Sequence, residues 1–235
     1  MWATTRSSFP LQTPSGPLAE NYSTNSMLLM RCTAESGEDL MSEVPSREQA
    51  VSAVDTLVRY IESANGDLRE GLAMTPERVV ESFDEIYSGY SGDAESILGA
   101  TFNSEGYDGI VLLRDIEFHS VCEHHLLPFT GKAHIAYIPI DRIVGISKLA
   151  RLLDLHSSRL QNQERLTKGV ADDIESILAP LGCAVILEAS HECMQCRGVS
   201  KQNAVMTTSA MRGVFFDKQE ARGELLQLIN SQSDR

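Results

Sequence analysis

Two short stretches of the chain place cysteine and histidine at spacings that suit a metal ion. The first is Cys122-Glu123-His124-His125, where a thiol and an imidazole three residues apart can reach one ion from a single turn. The second runs from His191 to Arg197 and contains Cys193 and Cys196. Thiolate and imidazole ligands favour zinc over magnesium or calcium, which prefer oxygen. The two stretches together predict a zinc site.

The number of zinc ligands decides between a catalytic and a structural site. If the second stretch is extended, His191 and Cys193 lie on one face of it and Cys196 lies on the other. Cys122, His125 and Cys193 then bind the ion and leave its fourth position open to water, as in catalytic zinc sites. Adding Cys196 would close the site into the structural kind. The alternation favours the open site, with the closed site as the alternative.

An open zinc site implies hydrolysis. Bound zinc can lower the pKa of a water molecule toward ~7, which supplies a nucleophile for an electron-poor carbon at neutral pH. His124 and His191 flank the predicted ligands and are natural proton carriers, because imidazole titrates near neutral pH. We therefore predict that both act as acid–base groups.

A cluster of positive charge is predicted in a chain that is otherwise acidic. Ser147 can cap the helix that follows Gly145, where free backbone N–H groups favour an anion. Lys148 and Arg151 add charge beside this helix start, and Arg197 adds charge beside the second metal stretch. These residues predict a site for a polyanionic ligand. The alternative is that they are ordinary solvated side chains.

The next helix is predicted to begin with two residues that could recognise a nucleobase. Gln163 and Glu164 stand at its start, and a carboxylate there can accept two N–H bonds from the edge of a base. The alternative is that Glu164 only stabilises the helix, since acidic residues are favourable in a first turn.

Two helices are predicted ahead of these motifs. Ser46 and Gln49 form a capping box before an apolar stripe of helical period that stops at Asn65-Gly66. Thr75-Pro76 then supplies a cap and a first helical residue for a second helix, which ends near Gly89.

The remaining pattern predicts an α+β domain. Period-two alternation and β-rich runs predict strands, and periodic runs bounded by Pro and Gly predict helices. The strands start near 109 and cover 132–139, 183–191 and 205–216, and the helices cover 147–156, 162–178 and 218–229. Strand pairs with helices between them favour an antiparallel sheet.

Composition bounds the number of domains. A chain of 235 residues with 42% hydrophobic content is long enough for one domain with appendages. Residues 1–45 are rich in Ser, Thr and Pro and contain the alternative starts Met27, Met30 and Met41, so we predict a disordered extension or an over-called start. We assign 46–108 to an N-terminal helical region and 109–235 to the catalytic domain.

Charge and cysteine usage limit the partners and the compartment. A net charge of -13 and a pI near 4.9 argue against a nucleic-acid partner or an anionic membrane surface. No apolar run reaches the ~18–20 residues of a membrane span, and the start lacks a secretory signal pattern. Five cysteines at uneven spacing suit a reducing compartment. We therefore predict a cytoplasmic protein.

Six motifs, in this order, resemble the GTP cyclohydrolase I family, and the resemblance extends from about residue 46 to the C-terminus. The motifs are Thr75-Pro76-Glu77-Arg78-Val79, Cys122-Glu123-His124-His125, Gly145 to Arg151, Gln163 to Thr167, His191 to Gly198 and Thr207-Thr208-Ser209. The resemblance implies the tunnelling fold, an antiparallel four-stranded sheet with helices packed on one face, preceded by N-terminal helices. It also implies a toroidal homodecamer of two pentamers, with active sites at subunit interfaces.

The resemblance implies conversion of GTP and water to formate and 7,8-dihydroneopterin triphosphate, the first step of tetrahydrofolate and pterin synthesis. Hydrolysis would open the purine ring at C8, and the ribose would then rearrange to close the pterin ring. By position, Cys122, His125 and Cys193 resemble the family's zinc ligands, and His124 and His191 its acid–base pair.

The resemblance also assigns substrate contacts. Lys148, Arg151 and Arg197 are the implied triphosphate contacts, Arg78 is a further one from a neighbouring subunit, and Ser147 lies near the sugar. Gln163 and Glu164 are the implied guanine contacts. Cys196 departs from the family, which usually has a small or apolar residue there.

Two other functions are consistent with parts of this pattern. One is a different enzyme of the same fold, such as a pterin-handling or nitrile-reducing relative, because a fold does not fix its chemistry. The complete ligand set beside the Ser147-Lys148 pair argues against it. The other is a structural zinc module or an oligomeric binding protein without catalytic activity.

Overall fold

A computed structural model describes residues 44–62 and 66–231. The predicted extension, with its alternative starts, lies outside these residues except for positions 44 and 45. Asn65, one of the two residues at which the first helix was predicted to end, also lies outside them.

The described residues form eight α-helices and seven strands. The helices are α1 (Arg47–Glu62), α2 (Thr75–Ile86), α3 (Ala94–Leu98), α4 (Ile146–Ser157), α5 (Gln163–Leu178), α6 (Glu192–Gln195), α7 (Val214–Asp217) and α8 (Gln219–Asn230). The strands are β1 (Thr101–Asn103), β2 (Val111–Cys122), β3 (Leu127–Ile138), β4 (Arg142–Val144), β5 (Leu160–Gln161), β6 (Gly182–His191) and β7 (Met206–Gly213).

The first helix begins as its capping pattern predicts. The Ser46 N–H donates to Gln49 Oε1 at 2.7 Å, and the Gln49 N–H donates to Ser46 Oγ at 3.3 Å. For the second helix the predicted cap is wrong by one residue, because Met74 holds the cap position and Thr75 is already helical. The two helices pack against each other.

An antiparallel sheet forms the centre of the fold and confirms the predicted α+β class. The strand order is β5-β2-β3-β6-β7, in which the last four are mutually antiparallel and β5 adds a two-residue parallel edge beside β2. β1 and β4 form a separate two-stranded sheet. The four long strands therefore match the predicted sheet, and the short strands are additions to it.

The main core lies between one face of the sheet and the helices α4 and α5. Alternate residues of β6, such as Val185 and Leu187, pack there against Leu152 and Leu166, all four fully buried. The helix α3 joins the same core through Leu98, so residues ahead of the predicted boundary at 108 pack with the rest. This burial of apolar area is the main favourable term for the fold.

The opposite face of the sheet carries a smaller core at one end. Ala136, Ile138 and Ala184 pack there against Phe215 of α7 and Leu225 of α8. The structure therefore places helices on both faces, with the larger pair on one face as predicted.

A β-bulge interrupts β2 between Leu113 and Ile116. Asp115 lies in the left-handed region at φ 57, and its N–H donates to Nδ1 of the buried His134 at 3.3 Å. Burial lowers the pKa of His134, with Asp115 and Glu188 partly opposing the shift. A neutral imidazole therefore completes the bulge as a hydrogen-bond acceptor.

Candidate active site

The structure brings the three predicted zinc ligands together. Cys122 ends β2, His125 lies in the following turn, and Cys193 lies in α6 directly after β6. Their ligand atoms all lie within 4.8 Å of one another, and Cys122 Sγ is 3.9 Å from His125 Nδ1. A tetrahedral zinc ion with ordinary bond lengths places such a pair about 3.6 Å apart. The trio therefore fits zinc with small adjustment, and among the described residues no fourth Cys, His, Asp or Glu joins it.

Sheet register explains why these distant residues meet. The β2–β3 turn is closed by bonds from the His125 and Leu126 N–H groups to Cys122 O, at 3.3 and 2.9 Å. Phe129 of β3 pairs with His191, the last residue of β6. The end of β6 and the β2–β3 turn therefore lie at the same end of the sheet, which we call the metal end.

The predicted extended conformation of residues 191–197 is wrong. β6 stops at His191, and the next residues form a helical turn in which the Cys196 N–H donates to Glu192 O at 2.9 Å. Strand alternation therefore does not decide which cysteine faces the ion. Cys193 joins the trio from this helical turn, and Cys196 is exposed and lies outside the trio.

The two predicted acid–base histidines have different surroundings. His124 is 65% exposed, with Nδ1 3.7 Å from Cys122 Sγ. His191 is half-buried, and its ring stacks on that of Phe129, with the ring centroids 4.6 Å apart and an angle of 3° between the ring planes. Burial lowers the pKa of His191, and the nearby charge of Glu164 opposes part of that shift. His191 is therefore held in a fixed plane at the metal end, whereas His124 faces solvent.

Gln163 fixes the orientation of His191. It is 1% exposed, and its Nε2 lies 3.0–3.1 Å from Leu187 O, Met206 O and Thr208 Oγ1. These acceptors orient the amide so that Oε1 faces His191 Nε2 at 2.8 Å. The N–H groups of Gln163 are thus engaged inside the chain. The guanine contact implied for Gln163 stays a prediction, while its side-chain amide positions His191.

Glu164 is exposed and lines a cavity of 520 Å³ beside this network. Thr167, Thr208 and Arg212 also line the cavity, and the two threonine hydroxyls lie 2.6 Å apart. Glu164 is therefore the member of the predicted base-binding pair that a ligand can reach.

The predicted cap of α4 is wrong by two residues. Gly145 occupies the cap position with φ -60 and ψ 135, without a side-chain bond, and Ser147 is the second helical residue. Ser147 and Arg151 are exposed and Lys148 is half-buried. The extended backbone at Gly145 starts the helix earlier than the capping preference of serine predicts.

The start of α4 lies far from the metal end of the same chain. The Val144 N–H donates to Tyr137 Oη at 3.0 Å, and Tyr137 pairs with Val111 at the opposite end of β2 from Cys122. At the other end of α4, Ser157 O accepts a bond from Ser120 Oγ at 2.7 Å. A helix of this length spans about 18 Å. We call the start of α4 the distal end.

The remaining predicted cations are divided between regions. Arg197 is exposed in the loop after α6. Burial raises the pKa of Cys193, and the charge of Arg197 opposes part of that rise. Arg78 is exposed on α2, which packs on α1. Within residues 44–62 and 66–231, none of Lys148, Arg151 and Arg197 forms an ion pair, and neither does Arg78.

Comparison with known proteins decides the family. The sequence profile described as GTP cyclohydrolase I matches residues 50–230. The chain belongs to the GTP cyclohydrolase I family. The resemblance inferred from the six motifs is therefore confirmed.

Relatives named GTP cyclohydrolase 1 match most of this family member. The protein of Chlorobaculum tepidum is 44% identical over 218 residues, which is 92% of this chain and 96% of the relative. That of Wolinella succinogenes is 51% identical over 172 residues, 72% of this chain and 91% of the relative. A crystal structure of apo archaeosine synthase QueF-Like has a TM-score of 0.38 and 16% identity, and the match covers 44% of this chain and 93% of that chain.

The sequence of this cyclohydrolase family member did not reveal the residues that support the metal motif and His191. Glu123, inside the first metal motif, accepts bonds from Asn162 and Arg165 at the start of α5, and Arg165 lowers the pKa of its carboxyl. Phe129 supports His191 by stacking. The motifs contain Glu123 and Arg165, but spacing along the chain gives no sign that they meet.

A membrane span was not predicted from the sequence. In the part of the chain that the structure describes, no helix is both long enough and apolar enough to cross a membrane.

Proposed function

We propose that this chain is a zinc-dependent enzyme that converts GTP and water to formate and 7,8-dihydroneopterin triphosphate, the first step of tetrahydrofolate and pterin synthesis. Family membership and the relatives named GTP cyclohydrolase 1 support the reaction. The observation that carries the proposal is the trio of Cys122, His125 and Cys193 with an open side, beside a positioned His191.

Zinc is the metal that best fits the trio. Two sulfur atoms and one imidazole nitrogen form a donor set typical of catalytic zinc. When bound, zinc lowers the pKa of water held at the open position. We propose Cys122, His125 and Cys193 as its ligands and residues 109–235 as the catalytic region.

His191 and His124 are proposed to move protons at different points. Because Gln163 Oε1 is an acceptor, His191 Nε2 carries hydrogen, and Nδ1 is the nitrogen that takes up or releases a proton. The lowered pKa keeps His191 neutral and basic at neutral pH. The exposed His124 can exchange protons with solvent and supply them to the opening ring.

The substrate contacts are proposed to come from more than one copy of the chain. Ser147 and Lys148 lie at the distal end of their own chain, and Arg151 lies midway along α4. A neighbouring copy can supply them, together with Arg78. Arg197 contributes from the same chain, and Glu164 is the proposed guanine contact. The cations have no carboxylate partners among the described residues, as groups that bind phosphate require.

We further propose a homo-oligomer, since the site is divided between copies, and the resemblance to the family implies that it is a toroidal decamer of two pentamers. Within residues 44–62 and 66–231, β7 is an edge of the sheet, and β2 is paired on its outer side only with the two residues of β5. Open edges of this kind can pair with another copy, and β7 and β2 run in the directions that continue an antiparallel sheet. We further propose a cytoplasmic location, which the cysteine usage supports.

The proposal is tested by incubating the purified protein with GTP, with and without a zinc chelator. Formate and the ultraviolet absorbance of the dihydropterin are followed together. We expect both products in equal amounts, and we expect the chelator to stop both. A zinc-replete, oligomeric sample that releases neither product would rule out this activity and leave only shared ancestry.

A further inference from the structure

The first turn of α5 contacts the turn that carries two of the proposed zinc ligands. Asn162 caps this helix, because its Oδ1 accepts a bond from the Arg165 N–H at 2.8 Å. Its Nδ2 donates to Glu123 Oε1 at 2.9 Å. One side chain therefore joins the start of α5 to the residue directly after Cys122.

Arg165 holds the other oxygen of the same carboxylate. Its Nη2 donates to Glu123 Oε2 at 2.5 Å and to Leu160 O at 2.8 Å, and its Nε donates to Gln161 Oε1 at 2.9 Å. Gln161 is buried, and its backbone oxygen accepts the Glu123 N–H at 2.9 Å. Glu123 is thus fixed through its backbone and both carboxylate oxygens.

The β2–β3 turn needs such support from outside. Leu126 has φ 54, a left-handed conformation that is unfavourable for a residue with a bulky side chain. His124 and His125 in the same turn are exposed. Glu123 is the member of the turn that contacts α5, and its side chain is only 27% exposed. Its contacts therefore limit how far Cys122 and His125 can move relative to Cys193.

We propose that Glu123, Asn162 and Arg165 form a clamp that positions Cys122 and His125 for zinc. The clamp residues act through the ligands and do not touch the substrate, so they are positioning residues. The same helix turn carries Gln163, which orients His191. One turn of α5 thereby positions two proposed zinc ligands and orients His191, the proposed acid–base group. This inference rests on the zinc site of the proposed function.

The test measures zinc affinity rather than turnover. The zinc dissociation constant of the metal-free full chain is determined by competition with a chromophoric chelator. We expect Glu123→Ala and Arg165→Met each to weaken zinc binding about tenfold, as loss of outer support for metal ligands does. Because both remove the same clamp, the double variant should weaken binding no more than about the stronger single variant does.

Arg59→Met is the matched control. Arg59 forms a half-buried ion pair with Asp55 on α1, at 2.7 Å, and α1 contains none of the clamp residues. We expect its zinc affinity to equal that of the unaltered chain. Thermal unfolding of each metal-free variant checks the fold. If Glu123→Ala does not fold, Glu123→Gln, which keeps an acceptor for Arg165, replaces it in the zinc titration.

Substitutions at Asn162 separate capping from clamping. Asn162→Ser keeps a side-chain cap for α5 but cannot reach Glu123, whereas Asn162→Ala loses both contacts. We expect both to weaken zinc binding severalfold and only the alanine variant to lower the melting temperature of the metal-free protein. Loss of affinity in the alanine variant alone would mean that the cap, not the clamp, matters.

Zinc affinity within about twofold of the original in folded Glu123→Ala and Arg165→Met would overturn the clamp. Recovery of turnover in Arg165→Met at excess zinc would support it, since the residue acts only through the metal ligands. Failure of the proposed reaction is a separate outcome, because the affinities are measured without GTP. If the clamp variants weaken zinc binding but the unaltered chain releases no formate from GTP, the clamp is supported and the proposed reaction is not.

Discussion

The metal end and the distal end differ in how their functional side chains are held. At the metal end, His191 is stacked and hydrogen-bonded, and Glu123 is fixed at three points. At the distal end, Lys148 has no ion pair among the described residues, and neither does Arg151, midway along α4. The chain therefore holds its proposed reacting groups by internal contacts, whereas its proposed anion-binding groups have no ion-pair partner among the described residues. This division suits a site completed between copies.

The largest expected effect comes from removing a proposed ligand at the metal end. We expect Cys193→Ser to lose bound zinc and to reduce turnover of GTP to background, because two ligands cannot hold the ion. Zinc is measured by elemental analysis and formate by its release. Cys196→Ser is the matched control, and it should keep both zinc and activity. Zinc loss in the control would restore the closed four-ligand site.

The next effect concerns the positioned base. We expect His191→Ala to lower kcat about 10²–10⁴-fold with zinc content unchanged, since general acid–base catalysis contributes that much. His124→Ala should also lower kcat with zinc retained. A structural zinc module predicts no such losses. If both variants kept full turnover, neither histidine would be an acid–base group.

The distal end is expected to affect substrate binding more than turnover. Lys148→Met should raise the KM for GTP about tenfold to 100-fold, because a charged hydrogen bond to phosphate is lost. Lys218→Met removes an exposed lysine outside both ends and should leave KM unchanged. Initial rates over a range of GTP concentrations measure both.

Mixing variants sharpens the comparison between the two ends. Oligomers co-assembled from Cys193→Ser and Lys148→Met chains contain interfaces with both intact parts, about a quarter of the total for random pairing. We expect the sites at these interfaces to turn over GTP with the KM of the unaltered chain, which neither variant does alone. If each chain supplied its own Lys148, no such interfaces would form, and mixing would give only the average of the parents.

The smallest effect is expected at the bulge of β2. Because folding lowers the pKa of His134 below its usual 6.5, the unfolded chain binds more protons between the two pKa values. Stability is therefore fully present above pH 6.5 and falls as the pH drops below it, by at most about 1.4 kcal/mol per pH unit. Urea unfolding at several pH values measures this slope. His134→Asn keeps an acceptor without titrating, and an unchanged slope would contradict the assignment.

Elements with strong periodicity could be predicted from the sequence. The capping box of Ser46 and Gln49, the helices α4 and α5 and the strand β6 lie close to their predicted positions. The predicted caps at Thr75 and Ser147 were wrong by one and two residues, because the backbone angles of a single preceding residue decide where a helix begins.

The zinc trio could be predicted because its ligands are rare residue types in recognisable motifs. The helical turn at 192–195 could not be predicted, because two cysteines in a short polar segment fit a strand or a turn equally well. The roles of Gln163 and Glu123 depend on which strands and helices meet. Burial and long-range contacts of this kind leave no periodic signal in the sequence.

The order of the proposed ligands along the chain has a consequence for synthesis. Cys122 and His125 leave the ribosome first, while Cys193 follows on a later strand, β6. At about 5–20 residues per second, the third ligand is added several seconds after the first two. During that interval a thiol and an imidazole are available without the partner that completes the site. The proposed zinc site is therefore complete only after Cys193 has been synthesised.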